Sequence, residues 1–488
     1  MYEGKFIIER QKRMKEGWEN IRMKNGYYLN YNKLQVVANG EKDQFLLGHA
    51  WQVCADKPAP AQIIRDGISS EQELLREEYS WAGRYVIVFR DQIWLDYGGQ
   101  MGVFYSGEAC SNSLRLLRVT LDRDFIDPKL NHDLSPDFVL GMRTMYRGIS
   151  RLLPSQYLNY VNDEVHERPI FPVKQRPTYS TEKIFNEFEH LYSYSLQNMK
   201  QEFKNSDIFV ALSGGYDSRT TLAMLYKAGV SFSAFTLEHP NISRGDIVLP
   251  AKVSQRLGIP YRFVPRRKKN YDLEAKRRYL HATEHMVVDE DVDFYAYGQY
   301  QAIIGKRPAV ILRNGLWATI REPYFENGPV DRSRFEKNFP GLLLDDNMKA
   351  SFHEYMDYLE HGKLNQDIPM QDRVYLELRV GCWRADIEGG FDGMQDIESI
   401  DPVNSRILLH LLKQLDHVQK RDKKHEVRIT NDAAPSIADI IYEKQYTSSD
   451  KQFSRSAHDV MRALRCRMTI VRQYGLAGLM KFQRGVHD

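Results

Sequence analysis

The chain has 488 residues, 42% hydrophobic and 27% charged; at roughly 100–200 residues per domain this allows two to four domains and excludes a small scaffold stapled by disulfides or metals. Its 68 basic and 65 acidic side chains leave a formal charge of only +3, which argues against a dedicated nucleic-acid binder. The four cysteines, Cys54, Cys110, Cys382 and Cys466, include no CxxC pair, so neither a disulfide framework nor a zinc site is expected.

The opening stretch MYEGKFIIERQKRMKEGWEN is too charged for a signal peptide, and no run approaches the ~20 apolar residues of a membrane span. A soluble cytoplasmic protein is the expectation. From Phe45 to about Tyr105, short β-rich runs alternate with turn signals: FLLGHAWQVC, RYVIVF, IWLDY and GVFYS. Arg90, Asp91 and Gln92 separate RYVIVF from IWLDY, a hairpin-length loop that predicts antiparallel pairing. Residues 1–170 therefore read as a β-dominated domain. PIFPVKQRP (169–177) reads as a linker, because its prolines can continue neither a helix nor a central strand.

At Thr181 the pattern changes. Residues 181–204 carry Ile184, Phe185, Phe188, Leu191 and Leu196 at helical spacing. IFVAL (208–212) is a short buried strand, and a helix over about 217–228 ends at Gly229. SFSAFTL (231–237) is the next strand, about 246–257 a helix closed by Gly258, and YRFV (261–264) strand again. Helices over roughly 272–287 and 293–304 precede the apolar run AVILR (309–313). Such alternation predicts a parallel sheet covered on both faces, an α/β fold.

The most informative segment joins the first two of these elements: Leu212, Ser213, Gly214, Gly215, Tyr216, Asp217, Ser218, Arg219. A strand ends in Ser-Gly-Gly and a helix opens with Asp-Ser, which aims successive N–H groups and a helix N-terminus at one point, a seat for phosphate. Asp217 can hold Mg²⁺, and Ser213 and Ser218 can donate hydroxyl hydrogen bonds. The plain alternative is a Gly-rich turn with Asp as a helix cap. No Walker or dinucleotide-type glycine motif occurs.

LSGGYDSR resembles the PP-loop of the ATP pyrophosphatases, and the layout of 205–450 resembles the asparagine synthetase family, whose synthetase domain activates a carboxylate as an acyl-adenylate. The resemblance implies a HUP-like PP-loop domain over 181–450 with a helical C-terminal extension, and ATP and Mg²⁺ as cofactors. FTLEH (235–239) is similar to the strand that carries the adenine contact, which implies Thr236 and Leu237 beside the nucleotide. Gly245-Asp246 resembles the start of the helix after it, and SIDPVNSRILLHLL (399–412) the C-terminal helical segment. VILRNGLWATIREPY (310–324) stands in the place of a second nucleotide loop, implying contacts from Asn314 and Gly315. PSIADIIYEKQYTSSD (435–450) resembles the segment that delivers a catalytic lysine, here Lys444; an ordinary surface lysine is the alternative.

Two departures stand out. The family's second loop reads like SGEGADE, with an acidic pair for a further Mg²⁺, whereas the matching positions here are Ala318 and Thr319. Either a neighbouring carboxylate such as Glu322 replaces the pair, or one metal on Asp217 suffices, or adenylation is impaired; Arg313 and Arg321 either bind pyrophosphate oxygens or lie at the surface. Secondly, RYVIVFRDQIWLDYGGQMGVFY (84–105) resembles the class II glutamine amidotransferase fold, an Ntn-type αββα domain, with Asp96, Gly102, Phe104 and Tyr105 in place. That family attacks glutamine with an N-terminal cysteine. This sequence opens Met1-Tyr2, its first cysteine, Cys54, falls in a predicted strand, and Glu71 stands where an Asp binds the glutamine amino group. Without the thiolate no glutaminase activity is expected.

The expected function is thus an ATP-dependent, AMP-forming amide ligase. The carboxylate of a small molecule or peptide would be adenylated, then attacked by ammonia or a substrate amine. A nucleotide-binding pseudoenzyme or scaffold is one alternative; a β-lactam synthetase-like or peptide-cyclising ligase is another, with Tyr375 and either Glu377 or Glu388 as a proton-removing dyad. Arg379 and Arg384 either grip a substrate carboxylate or are salt-bridged helix residues, the latter being preferred. The cluster Arg262, Arg266, Arg267, Lys268, Lys269 reads as a solvated charge run, and His281 with His285 as a surface pair. Residues 451–488 form a basic amphipathic helical tail, with eight basic side chains against Asp459 and Asp488. No transmembrane segment is expected, and a homodimer is one oligomeric state open to the chain.

Overall fold

The computed structural model describes residues 2–125, 139–171, 179–239, 242–266, 298–305, 307–321, 332, 346–392, 397–446 and 471. The expected helix at 272–287, the first residues (293–297) of the one expected at 293–304, the residues Glu322, Arg267, Lys268, Lys269, His281 and His285, and all of the basic tail but Val471 lie outside them. Among the described residues no helix is long and apolar enough to cross a membrane.

The first part of the chain makes two antiparallel sheets. One contains β1 (Lys5–Glu9), β2 (Glu19–Arg22), β3 (Tyr28–Asn32), β8 (Phe104–Ser106), β9 (Ala109–Ser111) and β10 (Ser150–Arg151), in the order β10-β8-β9-β1-β3-β2. The other contains β4 (Val36–Ala38), β5 (Gln44–Gln52), β6 (Trp81–Phe89), β7 (Gln92–Leu95), β11 (Gln156–Asn159) and β12 (Glu164–Glu167), in the order β12-β11-β7-β6-β5-β4. Alternation of side chains along each strand sends Phe6, Ile8 and Leu29 from the first sheet against Phe45, Leu47, Val86 and Val88 from the second. The opposite face of the second sheet offers Leu46, Ile87 and Trp94 to Ile64 and Leu74 of the helices α1 (Pro60–Asp66) and α2 (Glu71–Glu78). The hairpin expected at Arg90 forms: Val86 pairs with Leu95 and Phe89 with Gln92, with Arg90 left-handed at φ 57°. β5 stops at Gln52, so Cys54 lies just beyond the strand rather than in it, because Gln52 and Val53 turn toward Pro58 and Ser80.

Helix α4 (Thr181–Glu202), capped by the Ser180 hydroxyl, buries Ile184, Phe185, Phe188, Leu191, Tyr192 and Leu196 at three- and four-residue intervals. It leads into a parallel sheet of β13 (Asp207–Ala211), β14 (Ser233–Leu237), β15 (Tyr261–Val264), β16 (Ala309–Leu312) and β17 (Ile397–Ile400). The strand order is β15-β14-β13-β16-β17. The chain thus winds one way from β13 through β15 and then reverses to β16, which makes the β13/β16 boundary a topological switch point. Intervening α5 (Tyr216–Lys227) and α6 (Arg244–Leu257) provide crossovers, and α6 ends on Gly258 at φ 66°.

The two halves share a core. Phe352, Tyr355 and Met356 of the helix Asp346–His361, with Leu378 and Cys382 further on, join Ile7, Phe104, Leu116 and Leu117 of the first sheet and α3 (Leu114–Leu121). Buried ion pairs also cross the boundary: Glu78, which also pairs with Arg168 on its own side, with Arg406; Arg151 with Asp386; and Asp392 with Arg84 and Lys5. Asp96, one of the residues matching the amidotransferase pattern, is part of this seam, accepting from Asn404 at 2.9 Å and from the N–H groups of Tyr85 and Gln100.

Candidate functional site

Ligands of open parallel sheets bind beyond the C-terminal ends of strands at the switch point. Here that place is occupied by the loop 212–215 after β13 and the turn 313–319 after β16. A cleft of about 290 Å³ lined by Lys33, His49, Arg84, Glu202 and Glu398 lies at the other edge of the sheet, near the starts of β16 and β17. We place the site at the loop.

The loop is held from within. The Ser213 N–H donates to the Ser218 hydroxyl at 3.0 Å, the two hydroxyls are 3.1 Å apart, and the Gly215 N–H donates to Ser213 Oγ at 3.2 Å. Both serines expected to face phosphate thus already brace the turn. Gly215 is the N-cap of α5 with no side-chain cap, so Asp217 does not cap the helix and is available to the site. Leu212 is buried in the core, its N–H bonded to the Phe235 carbonyl, so only its backbone faces the loop. Thr236 is buried and donates its hydroxyl to the Leu212 carbonyl at 2.7 Å while accepting from Tyr261, which engages the group expected beside adenine; Leu237 pairs with Val264.

Two distant segments clamp the loop from outside. Asp246, itself held by Ser243, accepts from the Gly214 N–H at 2.8 Å. The Glu443 N–H donates to the Gly214 carbonyl at 2.8 Å. Gly214 is required by close approach, since a Cβ there would lie 2.9 Å from both Glu443 Cβ and the Gly245 carbonyl oxygen. Arg219 donates to the carbonyls of Ile440 and Ile441 at 2.6 and 2.9 Å, under the ring of Tyr442, which stacks on Tyr216. These contacts bring the short helix Glu443–Tyr446, with Lys444 exposed on it, to the mouth of the loop.

Charged groups converge above. Arg321 donates through Nη2 to Asp217 Oδ1, and its Nε stands 3.3 Å from Glu426 Oε1. Glu426, on the helix Lys424–Ala433, is fully buried and neither of its oxygens makes a hydrogen bond of good geometry. Burial, and then the Asp217 charge, push its carboxyl well above the usual range against the pull of Arg321 and Lys423. Lys423, left-handed at φ 57°, lies 4.6 Å over the Tyr216 ring. Burial and then Arg321 lower its pKa, against Asp217 and Glu426, with Lys444 also contributing repulsion.

The second loop behaves differently from expectation. Trp317 is buried against Phe188 and Tyr192 with its N–H on Thr221, and Thr319 donates to the Leu316 carbonyl at 2.7 Å. Asn314 donates to the Ala211 carbonyl at 3.0 Å and keeps a buried Oδ1 without a hydrogen-bond partner. Gly315 is filled by another residue: a Cβ there would lie 1.3 Å from Arg384 Nη1, which leaves no room for a nucleotide contact on that side. Arg384 pairs with Glu388 and Asp401, as the salt-bridged alternative has it, whereas Arg379 lies 3.4 Å over the Trp383 ring. Arg313 reaches Glu388 and Tyr300 rather than solvent. Glu377 bonds Tyr355 and Ser155, and Glu388 bonds Ser399, so neither acid is placed as a dyad with Tyr375 by its own contacts.

Among the described residues, no acidic pair for two cations is assembled on the second loop. Ala318 offers no oxygen on its side chain, the Thr319 hydroxyl is engaged, and a guanidinium is seated on Asp217. Among the described residues no three His, Cys, Asp or Glu side chains converge. Sequence reasoning missed Asp246 as a loop clamp, and Glu426 and Lys423 entirely. One signal for Glu426 was available: it falls on the same helix face as Ile429 and Ala433, an acid within an apolar stripe.

No protein-family model and no curated protein sequence matches the chain. Among solved structures, NMN synthetase from Francisella tularensis is similar at 15% identity, covering 40% of this chain and 92% of that one, with a TM-score of 0.20. A likeness that loose carries no functional weight.

Proposed function

We propose that this chain is an ATP-dependent, AMP-forming ligase that joins an amine to a carboxylate through an acyl-adenylate, without a glutaminase of its own. The observation that carries the reading is the Ser-Gly-Gly-Tyr-Asp-Ser turn at the switch point of a parallel sheet, with Arg321 on Asp217 and Lys423 over the Tyr216 ring. The first-turn N–H groups of α5 lack intrahelical acceptors and suit phosphate oxygens. In the first step a carboxylate oxygen attacks the α-phosphorus of ATP and pyrophosphate leaves. In the second, ammonia or a substrate amine attacks the acyl carbon, AMP leaves with the bonding pair, and the amine loses a proton. Both steps spread negative charge over phosphate oxygens, which fixed cations stabilise without reorganising. Lys444, on the segment bound to Gly214, is the lysine we assign to this task for the leaving group.

Substrate-dependent ATP–pyrophosphate exchange tests the reading. Exchange is expected with one member of a panel of amino, hydroxy and peptidyl carboxylates, and its loss in Asp217→Ala. Folded protein that exchanges with none of them would count against it. A second reading has its own support: Arg321 on Asp217 and alanine at position 318 favour a protein that binds nucleotide without turnover. ATP binding by calorimetry in a protein silent in exchange would select it.

A further inference from the structure

Resting on the nucleotide reading above, we propose that Arg321 is the phosphate-neutralising cation of this site, doing the work a divalent ion does where the second loop is acidic, and that Glu426 positions it. The position is built, not incidental. Arg321 begins beyond the turn that follows β16 and is only 14% exposed at its side chain. One amino group is seated on Asp217, in the first turn of α5. On its other flank the guanidinium meets Glu426, which is fully buried. Its Nη1 makes no hydrogen bond among the described residues and is left for a ligand. A planar fork hydrogen-bonded to Asp217 at one corner and lying 3.3 Å from Glu426 Oε1 at another, without a hydrogen bond there, keeps its remaining donors aimed, and it matches phosphate oxygens in a way an ammonium does not.

The surroundings explain why a glutamate sits in an apolar stripe. An alanine or leucine at 426 would fill the helix face but leave Arg321 anchored at one point only. His425, also buried, donates from Nδ1 to the Gln419 carbonyl and lies 3.6 Å from Glu426, so it stiffens the same helix start without adding a charge to the site; burial lowers its pKa to about 4. The other groups facing the guanidinium are Lys423 and Tyr375, both felt electrostatically around Asp217 and Arg321. The outcome is one bound cation in the same place whether or not a metal accompanies the nucleotide.

Calorimetry of the full chain with inorganic pyrophosphate and with ATP, each in excess EDTA and in excess Mg²⁺, tests this. Wild type is expected to bind both ligands in EDTA nearly as well as in Mg²⁺. Arg321→Met should weaken binding in EDTA by at least about tenfold, the loss expected for a charge-assisted contact, and Arg321→Lys should recover part of it. Glu426→Gln, which keeps the shape and an acceptor, should stay near wild type, whereas Glu426→Ala should approach Arg321→Met; a purely structural glutamate would lower melting temperature without changing the EDTA to Mg²⁺ ratio. Binding that vanishes in EDTA for wild type, or an Arg321→Met protein that binds as wild type does, overturns the proposal and leaves the ligase reading standing. Should folded wild type bind neither ligand in either buffer, the nucleotide reading fails and this inference with it. The wild-type ratio decides even if a variant does not fold.

Discussion

Arg219 illustrates how one side chain ties chemistry to structure. It directly follows Ser218 of the Ser-Gly-Gly-Tyr-Asp-Ser turn, is 1% exposed, and holds the Ile440 and Ile441 carbonyls through Nη1 and Nη2. Replacing it by Met leaves the Ile440 and Ile441 carbonyls without their donors. Hydrogen bonds to a charged group contribute about 1.5–3 kcal/mol each, so Arg219→Met should lower unfolding free energy by about 3 kcal/mol in a urea titration. Arg219→Lys should not restore it, because one ammonium cannot span two carbonyls from a stacked position under Tyr442. An unchanged midpoint for either variant would show that the segment is held by other contacts.

At the scale of elements, the loop and the C-terminal turn act as one unit because glycine allows their backbones to meet. A methyl at Gly214 would press on Glu443 and Gly245. Gly214→Ala should therefore weaken ATP binding by more than about tenfold, since the clash moves backbone that carries the donors. Gly229 provides the control. It is left-handed at φ 65° just after α5, and no atom lies within 4 Å of where its Cβ would be. Gly229→Ala should cost about 1 kcal/mol of stability through backbone strain alone and leave ATP affinity unchanged. Equal effects of the two substitutions on ATP affinity would contradict the clamp.

Across the whole molecule, the antiparallel and parallel parts are joined by charged side chains, some buried and some partly exposed. His49 on β5 bonds Glu202 at the end of α4 at 2.9 Å and stands 3.7 Å from Glu398 on β17. Burial opposes its charge, but the bonds to the two glutamates outweigh this and the imidazole is pushed up from 6.5 to about 9. A raised folded-state value means that the stabilisation is complete below about pH 6.5 and is lost as pH rises through about 9. By linkage the loss is on the order of 3 kcal/mol. Denaturant midpoints of wild type should fall across that interval, and those of His49→Gln should be flatter there. A wild-type profile as flat as the variant's would remove His49 from the seam. Asp392 behaves oppositely: burial works against its charge, yet Arg84 and Lys5 hold its carboxyl below the usual range, so its contribution is lost only as pH falls into the acid range.

By itself the sequence determined the local things. Alternation of apolar residues marked the strands on both sides of Arg90, glycine at 229 and 258 marked helix ends, and Ser-Gly-Gly before Asp-Ser marked a tight strand-to-helix turn, because each depends on residues a few positions apart. It did not reveal that the helix Asp346–His361 packs on the first antiparallel sheet, that Arg384 fills Gly315, or that Asp217 meets a guanidinium 104 residues away. An arginine or glutamate reads the same in a sequence whether it points to water or into a core. Only folding decides, by removing water from around it and leaving Asp217 and Glu426 as the groups that can hold Arg321.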